Sequence, residues 1–91
     1  MAHIITRVHV ADYDSFKPMF DQDVPGARRE AKAHILYRGV DNPNEVYVRV
    51  DFASVEEAQA GAERLRASGV LNRWDDSYGP TVVEEAEAVE Y

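Results

Sequence analysis

Three histidines, His3, His9 and His34, are the side chains of this chain best suited to moving protons near neutral pH. What each can do depends on its neighbours. His34 and Asp51 face each other if the turn Asp41-Asn42-Pro43-Asn44 pairs Val40 with Glu45. That register also sets Arg38 opposite Tyr47 and Leu36 opposite Arg49. A carboxylate on an imidazole fixes its tautomer and makes it a better base, as proton abstraction requires. Arg49 and Arg38 would hold an enolate or a carboxylate, and Tyr47 would donate a hydrogen bond. His9 is the other candidate base, needing only an orienting partner. The same residues also suit an ion-pair cluster between two packed sheets, with no chemistry at all.

Other chemistries find less support. Without cysteine there is no disulfide framework, thiolate metal site or thiol nucleophile. His3 and His9 share a strand face but stand roughly 20 Å apart along an extended chain, too far to bind one ion. No metal and no cofactor is therefore expected. Ser15, Ser54, Ser68 and Ser77 read as cap or loop residues rather than nucleophiles.

The elements that must position these groups are clearest around Glu45–Phe52. Val46, Val48, Val50 and Phe52 alternate with Glu45, Tyr47, Arg49 and Asp51, the pattern of a strand with unlike faces. Ser54, with Glu57 three residues on, then opens a helix from Val55 to about Ala67 as a capping box. Its inward stripe is Val55, Ala58, Gly61 or Ala62, and Leu65, small enough for close approach to a sheet. Residues 3–10 form a first strand, with Ile4, Thr6, Val8 and Val10 on one face and His3, Ile5, Arg7 and His9 on the other. Asp12 or Asp14 caps a first helix whose stripe is Tyr13, Phe16 and Phe20, ended near Pro25-Gly26. A strand over 33–40, with Ile35 and Tyr37 on the valine face, completes a hairpin. A connector over 70–78 holds Trp74, and Pro80 opens a last strand from Thr81 to about Val89.

The order β-α-β-β-α-β predicts an α+β fold, the ferredoxin-like split βαβ sandwich. Right-handed crossovers put both helices on one face of a four-stranded antiparallel sheet. The 91 residues make one domain, 1–91. The opposite sheet face mixes Ile5, Leu36 and Tyr47 with charges, which suits cover by a second copy. A net charge of −7 and no basic run argue against nucleic acid. No apolar stretch reaches ~20 residues and the start lacks a basic, apolar leader, so a cytoplasmic protein off the membrane is expected.

Several stretches resemble a known superfamily. Val8-His9-Val10-Ala11-Asp12-Tyr13-Asp14-Ser15-Phe16-Lys17-Pro18-Met19-Phe20-Asp21 is similar to the first strand and helix of the dimeric α+β barrel proteins, among them the antibiotic-biosynthesis monooxygenase-like (ABM-like) proteins. Tyr37-Arg38-Gly39, Asp41-Asn42-Pro43-Asn44-Glu45-Val46 and Asp51-Phe52-Ala53-Ser54-Val55-Glu56-Glu57-Ala58 resemble its hairpin and second helix. The resemblance implies a homodimer packed sheet to sheet, with a cavity in each protomer or at the barrel. It further implies a small aromatic or polyketide-like ligand and, in enzymatic members, cofactor-independent oxygenation or cyclisation. Candidate catalytic residues are His9, His34, Asp51 and Arg49. Candidate ligand contacts are Tyr47, Arg38, Arg7, Phe16, Phe20 and Trp74. The haem-degrading branch relies on an Asn, a Trp and a His; here the first strand has no Asn and no His follows Trp74. The competing expectation is a non-catalytic dimeric binding or structural protein. Fold alone does not choose between them.

Overall fold

A computed structural model describes residues 1–74 and 76–91, so Asp75, within the expected connector, lies outside the described residues. Strand β1 is Ala2–His9, helix α1 Tyr13–Gln22, strands β2 and β3 Ala33–Arg38 and Glu45–Phe52, helix α2 Val55–Ser68, and strand β4 Tyr78–Glu84. A short 3-10 turn, Val70–Arg73, lies between α2 and β4. The strands form one antiparallel sheet in the order β2-β3-β1-β4. This is the ferredoxin-like α+β arrangement that the element order predicts. No helix among the described residues is long and apolar enough to cross a membrane.

Local chemistry explains the helix boundaries. The Asp12 carboxylate accepts from the Ser15 N–H at 3.1 Å and starts α1. Ser54 Oγ accepts from the Glu57 N–H at 3.2 Å and starts α2, while its hydroxyl donates to the Glu57 carboxylate at 3.3 Å. Gly69, at φ +70°, ends α2 in the left-handed region. Both helices bury their stripes on the same side of the sheet. Phe16, Ala58 and Ala62 pack with Ile4, Val8, Val46, Val48, Val50 and Phe52 in one core. Close packing requires Gly61, because a Cβ there would sit 2.6 Å from the Ala27 carbonyl oxygen and 3.0 Å from the Phe52 ring.

The β2–β3 register differs from expectation by one residue. The closing pair is Gly39 with Glu45, joined by Gly39 N–H donating to the Glu45 carbonyl at 2.8 Å. Val40 belongs to the loop, fully exposed. The turn folds the Asn42 carbonyl back over Gly39, where a Cβ would stand 2.6 Å from its oxygen. The glycine therefore takes the inner position that a β-branched valine cannot. Consequently Leu36 pairs with Val48, His34 with Val50 and Arg38 with Val46, while Ile35 and Tyr37 join Arg49 and Tyr47 on the opposite face.

Strand β4 also differs from expectation. It starts at Tyr78, opposite Arg7, and crosses a register shift between Ile5 and Arg7. There Gly79 takes φ +90° with its Cα beside the Ile5 carbonyl. The strand ends at Glu84 rather than near Val89 because its partner runs out: Glu84 already pairs with Ala2.

Candidate functional site

Two groups of chemically capable side chains result, one on each side of the sheet. Between the sheet and the helical layer lies a cavity of about 120 Å3. Its floor is Ile4, Thr6, Val8, Val48 and Val50, and α1 contributes Phe16, Met19 and Phe20. Leu65, Val70, Leu71 and Trp74 close another side. The α1 stripe and the turn after α2 thus meet over the valine face. Ring centroids are 5.7 Å apart for Phe16 and Phe20 and 5.9 Å for Phe16 and Trp74, in the range of favourable aromatic packing. The sequence-predicted contacts Phe16, Phe20 and Trp74 are brought together here.

The polar groups of this cavity are Thr6, Asp23, Arg28 and Arg73. Arg28 lies with its guanidinium 3.6 Å from the Phe20 ring centroid and donates to the Phe20 carbonyl. Burial holds its pKa below the usual arginine value, and Asp23 and Asp21 act in the opposite direction. The Asp23 carboxylate accepts from the Arg28 backbone N–H at 3.1 Å. Arg73 Nη1 lies 2.8 Å from Met19 Sδ. Among the described residues, no histidine lines the cavity.

The other sheet face carries most of the sequence-predicted polar residues. His3 Nδ1 and Asp51 Oδ1 are 2.5 Å apart and both residues are buried. Arg49 clasps the same carboxylate with both arms, Nε to Oδ1 at 2.8 Å and Nη2 to Oδ2 at 3.1 Å. Arg49 above all, with His3 assisting, holds the Asp51 carboxyl below its ordinary value, while desolvation acts against them. His3 Nε2 is 3.3 Å from Glu85 Oε1, past the end of β4. At the far end of the face, His9 Nε2 and Glu45 Oε2 are 2.6 Å apart, and the Tyr47 hydroxyl donates to Glu45 Oε1 at 2.5 Å. Those two bonds, Tyr47's first, lower the Glu45 pKa, and Glu45 in turn raises that of Tyr47. Arg7 points toward Asp76, with Nη2 3.6 Å from Oδ1.

Two expected placements are corrected by the register. His34 does not face Asp51: it lies opposite Val50, on the helix side, its ring edge-on to Phe20 at 5.2 Å. Arg38 is likewise on the helix side, its guanidinium 4.1 Å from the Tyr13 ring and its Nε donating to the Pro43 carbonyl. The closest carboxylate–imidazole pairs are His3–Asp51 at 2.5 Å and His9–Glu45 at 2.6 Å. Sequence reasoning passed over His3, yet a signal was present. Histidines at 3 and 9 on one strand match acids at 45 and 51 on another in reversed order, as an antiparallel pair demands. Arg28 and Arg73, in irregular segments, carry no such periodic signal.

No family model matches the chain, and no curated protein matches it. Solved structures do. An antibiotic biosynthesis monooxygenase superposes with a TM-score of 0.63 at 18% identity, covering 99% of this chain and 100% of its own. Rv0793 from Mycobacterium tuberculosis gives 0.63 at 14% identity, with 98% of each chain covered. A candidate antibiotic biosynthesis monooxygenase from Deinococcus radiodurans gives 0.61 at 13%, covering 100% of this chain and 98% of its own. The match spans the whole β-α-β-β-α-β unit, and the chain has the fold of the antibiotic-biosynthesis monooxygenase-like proteins.

Proposed function

We propose that this chain is a homodimer that binds a small aromatic molecule in the cavity between its sheet and α1. The observation that carries the reading is the cavity itself, apolar on its floor and walled by Phe16, Phe20 and Trp74. Its enzymatic form would be cofactor-independent oxygenation or cyclisation; two of the structural neighbours are described as antibiotic biosynthesis monooxygenases. In a second reading, proton abstraction falls to the outer-face pairs, His9 with Glu45 and Tyr47 or His3 with Asp51 and Arg49, acting on a molecule held between two sheets rather than in the cavity. The cavity side favours binding over such chemistry, since its described lining has Asp23 as its sole carboxylate and no imidazole.

The dimer is supported by the outer face. Ile35, Tyr37, Tyr47 and Tyr78 are exposed there. On β1 and β3 the charges of Arg7 and Arg49 match those of Glu45 and Asp51. In a chain of net charge −7, a partly apolar face whose acids lie against arginine and histidine is where two copies meet with least repulsion.

Methyl-selective NMR with toluene as probe tests the binding reading. Shifts are expected at Ile4, Val8, Val48 and Leu71. Shifts confined to Ile5 and Ile35 on the outer face, or none at saturating toluene, would overturn it.

A further inference from the structure

Resting on that reading, the size and the mouth of the cavity narrow its ligand. An apolar protein cavity of about 150 Å3 accepts one benzene. The cavity here, about 120 Å3 and open at one side, is of single-ring size. A fused multi-ring skeleton would have to displace the core side chains that wall it, and cores resist such overpacking.

The polar groups are few and unequal in sign. Arg28, from the segment after α1, and Arg73, from the turn after α2, both reach the cavity, against the single carboxylate, among the described residues, of Asp23. That carboxylate is engaged by the Arg28 backbone N–H. The two guanidiniums contact adjacent residues of α1, Arg28 at Phe20 and Arg73 at Met19. Among the described residues, their side-chain contacts are a carbonyl oxygen, a ring face and a thioether. Each guanidinium carries five N–H donors, more than these contacts use. A cationic opening on an otherwise apolar cavity, in a strongly acidic chain, has an evident complement. We propose that the cavity takes a single-ring aromatic bearing an anionic group, the ring among Phe16, Phe20, Leu71 and Trp74 and the anion between Arg28 and Arg73.

Isothermal titration with phenylacetate, its neutral isostere phenylacetamide, and toluene tests this. A charge-assisted bond to a carboxylate predicts phenylacetate binding about 10-fold tighter than phenylacetamide. Arg28→Gln and Arg73→Gln should each shrink that ratio several-fold. Toluene binding also reports that each variant retains its cavity, and Arg73, exposed on its turn, offers a substitution with little effect on the core. Equal binding of phenylacetate and phenylacetamide, or a ratio untouched in both variants, would overturn the anion assignment while leaving the cavity reading intact. Tighter binding of anthracene-9-carboxylate than of phenylacetate would overturn the single-ring assignment. Failure of toluene itself to bind the unmodified protein would remove the reading on which both rest.

Discussion

Asp51 illustrates how one side chain couples sequence pattern to stability. Its carboxylate is buried on the outer sheet face and clasped by Arg49 and His3. These bonds favour the ionised form in the folded state, so its pKa lies below the ordinary value of 3.8. A carboxylate depressed by folding contributes stability that is in place above its ordinary value and is lost as pH falls through its folded one. Urea denaturation across the acid range should therefore show a stability loss below the ordinary carboxylate range. Asp51→Asn should be less stable at neutral pH and show a shallower acid slope. Parallel slopes for the two proteins would mean that the pairing does not depend on charge. At this scale the sequence was partly legible: Asp51 and Arg49 stand out from their strand, but the imidazole that Asp51 meets comes from β1, forty-eight positions away.

At the scale of elements, the alternation of β1 and β3 and the stripe of α2 were readable because each obeys its own period. The hairpin register was not, since it depends on which residue can lie under the Asn42 carbonyl. That is decided by the missing side chain of Gly39, not by the valine pattern. Asn44 then fixes the loop to the β1–α1 connection, its amide donating to the Ala11 carbonyl and its carbonyl oxygen accepting from the Tyr13 N–H, both at 3.2 Å. The β4 boundary was hidden for a similar reason, because a strand's end is set by its partner's length. Gly61 is the sharpest test of how the layers pack. Gly61→Val forces side-chain atoms into the Ala27 carbonyl and the Phe52 ring, and should destabilise the fold by about 1–3 kcal/mol. Chemical denaturation checks this; a neutral effect would mean that α2 lies farther from the sheet than its glycine implies.

For the whole molecule, the two sides of the sheet divide the work. The helix side encloses an apolar, aromatic cavity with arginines at its edge. The outer side presents paired charges among exposed tyrosines and Ile35. The order of elements made this division legible, since the expected right-handed crossovers put both helices on one face and leave the other bare. The contents of the cavity were less so: Phe16, Phe20 and Trp74 stand in patterned or conspicuous positions, whereas Arg28 and Arg73 arrive from irregular segments. Native mass spectrometry of protein purified gently from its own host reads both sides of the sheet at once. A dimer carrying a small molecule, released on unfolding, is expected. A monomer with no retained molecule would contradict both the covered outer face and the occupied cavity.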